Sequence, residues 1–510
     1  MKSFLAKLFG VKPRVFIQKR AFAKGAEVDR LSQDWNPSTL TGDAALYGRI
    51  RVMRDRARQQ ELDKPYARRY YQILENNVPG STGFTMTVQA RDRAGELDKA
   101  ANLAVWMEFK RWSKLGNCTV TGEDSWVDVQ NLVTRALARD GGILLRKRSG
   151  KKFGPHGFQL QLLEIDQLDT NYNSNADNGN KVCFGIEKDE YGKTIAYHLL
   201  DRHPGEVAGY RFSSGQTRRR VDASEIIHIF TKERPTQSIG FPWLVASSTC
   251  LHNLGEYSYA ELIAARAGSD KGGWFQSTTG QQFAGEQQID ADGNPATLID
   301  FEPGSFDELP AGMTFHAYDP KHPTDAFSPF CRGQLLEASA GGGISYATLT
   351  GDLSEANYSS MRSGKLEEQE AFKKFQQHLI EHLCEPVFSA WLEMALLSGA
   401  LPYTMADFDR LNQPLFRGRR WPWVDPPKDI KAVSDALAIG ITSRTKVVEE
   451  QGGDIEQIFE ELADEDELAK KNGIEITAQK ASTPIKTADG DEDPDETDEE
   501  EAERMVKINR

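Results

Sequence analysis

Asp352-Leu-Ser-Glu-Ala-Asn-Tyr-Ser-Ser-Met-Arg362 joins a glycine run, Gly341-Gly342-Gly343, to a long amphipathic helical pattern. The glycines end or bend the helix before them, because glycine enters left-handed backbone conformations at no steric cost. The stretch after them is polar, yet it offers no nucleophile with an adjacent base and no metal-ligand spacing. A mechanical loop at the edge of a helical assembly accounts for such a segment; a catalytic one does not.

Outward from this stretch, the helical pattern on its C-terminal side covers residues 364 to 385 through Leu366, Phe372, Phe375, Leu379 and Leu383. Pro386 should kink or break it, because proline lacks a backbone donor and restricts Glu385. Residues 387 to 398 continue as a short amphipathic helix closed by Gly399. On the N-terminal side, one helix is predicted from near Ser328 to about Ala340, and another from about Pro242 to Ala267, with Gly268 near its end. Residues 268 to 326 carry Gly, Pro and Asp throughout, with strand-like pieces at 296 to 301 and 313 to 317. They read as an insertion between two helices.

The first half reads as an α+β body. A charged helix at 43 to 64 holds Arg54, Arg56 and Arg58, and 66 to 74 form a second helix stopped at Pro79-Gly80. Residues 85 to 90 alternate as a strand, and 96 to 115 give a helix expected to turn Leu103, Trp106, Met107, Phe109 and Trp112 to the core. A helix at 125 to 139 follows, with strands from Ile143 and at 158 to 163, 182 to 187, 194 to 200 and 225 to 230. The turn signals Asn178-Gly179 and Asp189-Glu-Tyr-Gly192 separate several of them. Residues 417 to 427 form a Pro-rich connector, and 428 to 470 suggest two short helices around Gly440 and Gly452-Gly453.

Length and an apolar content of 39% allow a large core split into several substructures. No window reaches the roughly 18 uncharged apolar residues that a membrane span needs. Cys118, Cys183, Cys250, Cys331 and Cys384 are odd in number and scattered, which speaks against a disulfide framework or a zinc site and for a reducing compartment. The net charge is −14, but residues 489 to 503 hold eleven Asp and Glu with no Lys or Arg, so the other residues together carry only −3. That acidic block reads as a self-repelling tail. At the other end seven Lys and Arg, from Lys2 to Lys24, precede the first acidic residue, Glu27. The apolar run there is too short and interrupted for a secretory signal, so a flexible or processed arm is expected.

Three motifs invite a chemical reading. Gly192-Lys193-Thr194 has the end of a phosphate-binding loop but Glu187 where its first glycine belongs, and a turn is the better reading. His378 and His382 stand four apart without a third ligand, which favours helix-surface histidines. Gly341-Gly342-Gly343 lacks the strand or nucleophile of an anion cradle and reads as a hinge or a close helix approach.

Asp352-Leu-Ser-Glu-Ala-Asn-Tyr-Ser-Ser-Met-Arg362 with its helix, Trp391-Leu-Glu-Met-Ala-Leu-Leu-Ser-Gly399 and Trp421-Pro-Trp-Val-Asp-Pro-Pro-Lys428 resemble portal proteins of tailed phages, in the lambda-like branch. So do Gly185-Ile-Glu-Lys-Asp-Glu-Tyr-Gly-Lys-Thr-Ile-Ala-Tyr197, Ile227-His-Ile-Phe-Thr-Lys-Glu-Arg234 and Gly440-Ile-Thr-Ser443 with Glu450-Gln-Gly-Gly-Asp454. The likeness covers about residues 40 to 465. One departure is Gln237-Ser-Ile-Gly240-Phe-Pro242, which lacks the arginine that the family often carries at this corner.

The resemblance implies a ring-forming α+β portal fold. Its parts would be a basic arm at 1–39, a wing at 40–241 and 364–427, stem helices at 242–268 and 327–345, and a small α/β clip at 269–326. A tunnel loop at 346–363, a helical crown at 428–470 and an acidic tail at 471–510 complete it. Asp352, Ser354, Asn357, Tyr358, Arg362 and Lys365 would face DNA, and Gly341, Gly342, Gly343 and Pro386 would act as hinges. The implied function is the head-tail connector: a dodecamer at one capsid vertex of the virion, assembled in the host cytoplasm, through which the terminase packages double-stranded DNA for later ejection. Capsid, scaffold, and head-completion or tail proteins would be its further partners. No enzymatic activity, cofactor, metal or membrane contact is implied, and removal of the arm by a prohead protease is. A structural head-assembly or head-completion protein that conducts no DNA is the alternative reading.

Overall fold

The structure, a computed structural model, describes residues 39–176, 179–206, 217–269, 273–277, 287–289, 295–297, 313–317, 325–354, 358–421, 426–450, 453 and 455–473. The chain divides into two units, one ending at Arg419 and one beginning at Arg420.

In the first unit the charged N-terminal pattern forms two helices, α1 (Gly42–Leu46) and α2 (Ile50–Asp63), because Gly48 between them adopts φ +72°. Pro65 opens α3 (Pro65–Asn77) in the first turn, where its missing donor costs nothing. After β1 (Thr85–Val88) come α4 (Lys99–Trp112) and α5 (Trp126–Asp140), the latter started by a Ser125–Asp128 capping box and ended by left-handed Gly141.

Strands follow: β2 (Gly142–Ser149), β3 (Phe158–Glu164), β4 (Ser174–Asn175), β5 (Lys181–Cys183), β6 (Ile186–Lys188), β7 (Thr194–Leu200), β8 (Arg218–Asp222) and β9 (Ile226–Phe230). They form a three-stranded antiparallel sheet ordered β3-β2-β9 and a five-stranded antiparallel meander, β4 to β8. The single strand expected at 182 to 187 is a hairpin. Phe184 (φ 53°) and Gly185 (φ 74°) turn the chain, and only the glycine is free of the Cβ clash that left-handed backbone imposes. Leu46, Ile50, Leu144, Ile165, Phe184, Ile186, Tyr197, Val221 and Ile239 share the core that this part of the chain closes on.

Next come α6 (Ser248–Ser269), β10 (Gly273–Ser277), β11 (Gln287–Ile289), β12 (Pro295–Thr297), β13 (Met313–Ala317) and α7 (Phe327–Gly342). Pro242 leads into a 3-10 turn at Trp243–Val245, so α6 starts later than expected. β10 pairs with β13 and β11 with β12, both antiparallel. Of the strand expected at 296 to 301, residues 298–301 lie outside the described residues. α6 and α7 pack on each other, with Tyr257 against Phe327 and Phe330 at ring-centroid distances of 5.6 and 4.9 Å.

The unit ends with α8 (Tyr346–Thr350), α9 (Tyr358–Leu379), a π-helical turn (Ile380–Cys384), α10 (Glu385–Ser398), α11 (Phe408–Leu411) and β14 (Pro414–Arg417). β14 returns to pair antiparallel with β1. Around Phe109 of α4, Trp391 and Phe388 of α10 pack at 5.0 and 5.5 Å, with Trp112, Trp126 and Phe416 within 6.4 Å. This aromatic core joins segments almost three hundred residues apart, which is why chain order alone conceals it.

α4 corrects one expectation. Ala101, Val105, Phe109 and Trp112 are buried, whereas Leu103 and Met107 are each 57% exposed and Trp106 is 36% exposed under Lys110. The helix carries two apolar faces, and periodicity does not say which one meets the core.

In the second unit the two glycine breaks delimit three helices rather than two, α12 (Pro426–Ala438), α13 (Arg444–Glu450) and α14 (Ile455–Lys471). Among the described residues no helix is long and apolar enough to cross a membrane.

Candidate functional site

The glycine run serves close packing and a cap. A Cβ on Gly341 would collide with the Ser247 hydroxyl, and one on Gly342 would lie 3.0 Å from the Tyr70 ring. Ser247 donates to the Ala338 carbonyl at 2.9 Å, and Tyr70 to the Gly342 carbonyl at 3.1 Å. Gly343 (φ 69°) then caps α7 in the left-handed conformation.

Beyond it lies a short helix where the sequence predicts a loop. The Ser345 hydroxyl accepts from the Thr348 amide and starts α8, and left-handed Gly351 ends it. Glu368, on α9, holds this turn from one side: its carboxylate accepts from the Ser345 amide at 2.6 Å and from the Thr348 hydroxyl at 2.8 Å. Arg69, on α3, donates to the Thr348 carbonyl at 3.1 Å from the other. Sequence reasoning misses Ser345, Thr348, Glu368 and Arg69, and the only local sign of α8 is a Ser-x-x-Thr start with a glycine after it.

The segment next to α8 turns on Asp352. Its carboxylate accepts from the Ser354 hydroxyl at 2.7 Å and the Ser354 amide at 3.0 Å, and from the Tyr346 hydroxyl at 3.2 Å. The Ser354 bonds first, then the Tyr346 hydroxyl and the charge of Arg332, hold this carboxyl below the usual range. Asn357 lies outside the described residues. Tyr358 opens α9, six residues earlier than the predicted start at 364, because Ser359 to Ser363 contain no breaker. Half-buried Arg362 and exposed Lys365 therefore sit one helical turn apart, which places them on one face.

Pro386 does not break the helix. Glu385 donates its amide to the Ile380 carbonyl, five residues back, so one wide turn makes room for the proline ring at the start of α10.

The three motifs that invite a chemical reading have structural roles. Gly192-Lys193-Thr194 is the β6–β7 turn, with the Asp189 carboxylate accepting from the Tyr191 and Lys193 amides at 3.0 and 2.8 Å. The His378 and His382 rings stack at 4.2 Å, and burial followed by the charge of His382 pushes His378 down to about 4. The glycine run packs and caps as above. Glu164, Asp166 and His203 converge within 4.8 Å, the spacing of a metal site. Arg58 already sits among them, 2.5 Å from Asp166 and 3.5 Å from Glu164, and supplies the compensating charge. Arg54, only 1% exposed, bonds the Asp140 carbonyl at 2.9 Å and Asp166 at 3.4 Å, while Arg56 is exposed.

A hydrogen-bonded corner stands where the family's arginine is missing. Gln237 accepts the Glu233 and Arg234 amides, both at 2.8 Å, and Ser238 bonds both Asp43 and Lys188.

Among known proteins, the model of the family described as phage portal protein, lambda family, matches residues 28–376. The chain belongs to that family. Its members are structural proteins rather than enzymes, and this chain is a phage portal protein. A probable portal protein of Halomonas phage phiHAP-1 is 36% identical over 454 residues, covering 88% of this chain and 87% of that one. Two solved structures are similar at lower identity. A chain from the neck of an empty gene transfer agent particle shares 13% identity at a TM-score of 0.43, covering 79% of this chain and 94% of that one. An HK97 family phage portal protein from Corynebacterium diphtheriae shares 11% at a TM-score of 0.30, covering 74% and 97%.

Proposed function

We propose that this portal protein closes into a ring, a dodecamer, at one capsid vertex and conducts double-stranded DNA without an active site of its own. The terminase drives DNA through it during packaging, capsid and scaffold proteins surround it, and head-completion or tail proteins attach below. The observation that carries this reading is the outward surface of α6 and α7. Tyr259 is 62% exposed, and Leu262, Ile263, Phe330 and Leu336 are each 47 to 48% exposed, on helices whose other sides already pack on each other. An apolar surface of this kind is covered in the working state of a protein, and identical copies set side by side cover it. Twelve helices at about 10 Å spacing make a circle roughly 38 Å across, with a bore of about 28 Å once the helix radius is removed. That bore admits a duplex.

In this arrangement α6 and α7 are the stem, residues 269–326 the clip, and 40–241 with 364–427 the wing. Residues 346–363 line the bore and 428–470 form the crown. Asp352, Ser354, Asn357 and Tyr358 face the DNA, and Arg362 and Lys365 make passing phosphate contacts. Gly341 to Gly343 act as a hinge where the segment leaves α7, and Pro386 acts as one between α9 and α10. The near-neutral charge outside the acidic tail suits a conduit, because every phosphate neutralised adds a salt-dependent hold on DNA that ought to slide.

Electron microscopy of the purified protein tests the reading: rings with a central hole are expected, and a monomer at every concentration overturns it. For the bore, Arg362→Ala with Lys365→Ala should leave rings intact and flatten the salt dependence of DNA binding, the logarithmic slope falling by about 0.9 for each phosphate that is no longer neutralised.

A further inference from the structure

Arg218, Arg219 and Arg220 follow one another on β8, and the middle one is set apart. Arg218 pairs with Asp169 at 2.7 Å and Arg220 with Glu187 at 2.8 Å. Arg219 is exposed and has no ion pair among the described residues.

The pleat explains the split. Successive side chains of a strand point to opposite faces, so Arg219 shares the face of Val221, which is in one core with Leu144, Leu199 and Ile226. On β2, Arg146 and Arg148 share the face of Leu144, and Arg146 lies opposite Ile226, where β9 begins. The three arginines therefore stand where the two sheets run past the edge of their shared core.

Positive charge is left uncompensated there. Glu225 accepts from Arg146 at 2.7 and 3.1 Å. Arg148 donates its Nε to the Gln161 side-chain oxygen at 2.9 Å, and its terminal N–H groups have no acceptor among the described residues. Burial, then the charge of Arg146 and, against the opposite pull of Glu225, that of Arg219 hold Arg148 below the ordinary arginine value. One carboxylate faces three guanidinium groups, and a bound oxyanion relieves their repulsion.

The class of ligand follows from what else the surface offers. Among the described residues, no exposed large apolar side chain lies on β2, β3, β8 or β9. A docked peptide needs an apolar centre to its interface, whereas a phosphodiester backbone needs only guanidinium and amide donors.

We propose that Arg146, Arg148 and Arg219 form a phosphate-binding surface for double-stranded DNA outside the bore, where the duplex is held rather than passed. The inference rests on the ring reading above for its place on the wing.

Closed circular duplex DNA tests this on the full chain, because a closed circle cannot thread a ring that formed before it was added. Preformed rings should bind the circle, and binding should weaken with salt. Arg148→Gln with Arg219→Gln should reduce the logarithmic salt slope by about 0.9 for each phosphate no longer held. Arg148→Lys with Arg219→Lys, which keeps the charge, should retain most of the slope, and Arg362→Ala with Lys365→Ala should leave it unchanged. Circular DNA that stays unbound, or an unchanged slope in the glutamine variant, overturns the surface and leaves the ring reading standing. A glutamine variant that loses binding to polyglutamate while holding circular DNA as before also overturns it, and assigns the arginines to an acidic peptide. If the unsubstituted chain forms no rings, the ring reading falls, and the same variants with a linear duplex still decide the surface.

Discussion

Gly240 lies backbone to backbone against Gly141: a Cβ on Gly240 would sit deep inside the contact distance of the Gly141 carbonyl oxygen. In turn, a Cβ on Gly141, which also holds φ +82°, would meet the backbone of Gly240 and Phe241. This approach sets the end of α5 against the corner that leads into the 3-10 turn before α6. Gly240→Ala should therefore cost more than about 2 kcal/mol, since neither backbone can yield without moving an element. Gly364→Ala in α9 is the control: nothing lies within 4 Å of its Cβ, and a gain of up to about 1 kcal/mol is expected. Thermal melts of the two variants should move in opposite directions.

Glu368 fastens α8 through two charge-assisted hydrogen bonds. Glu368→Ala should cost roughly 1 to 2 kcal/mol locally. Hydrogen exchange should rise at residues 345 to 350 while the amides of α5 stay protected. Unchanged exchange at α8 would show that Arg69 holds it alone.

Arg54 is buried between the Asp140 carbonyl and the Asp166 carboxylate. Burial lowers its pKa, and the charges of Asp166 and Asp140 oppose that shift. Arg54→Ala removes one side of a buried charge pair, so a loss of about 3 to 5 kcal/mol is expected in denaturant unfolding. Arg54→Met, which keeps the packing volume, should lose less.

His228 packs on Tyr197 and Phe230, and burial, followed by the charges of Arg54 and Lys188, pushes it down to about 3 from the ordinary histidine value of 6.5. Between these two values the unfolded chain binds a proton that the folded chain refuses. Stability at this position is therefore full above 6.5 and falls as pH drops towards 3. His228→Phe should flatten that acid limb, read as unfolding free energy against pH. An unchanged slope would place the proton uptake elsewhere.

Local chemistry made much of this protein legible in its sequence. Proline and glycine positions marked where α3, α7 and α10 begin or end, because left-handed caps and missing amide donors act over a few residues. Alternation found β3 and β7, and the stretch from Asp352 to Arg362 with its companions pointed to the family. What tertiary structure alone decided is the meeting of distant residues. It chose which apolar face of α4 turns to the Phe109 core, since Phe388 and Trp391 arrive from far along the chain. It turned the first five residues of a presumed loop into α8, because the carboxylate of Glu368 and the guanidinium of Arg69 come from other helices to hold a turn that makes too few hydrogen bonds to persist alone.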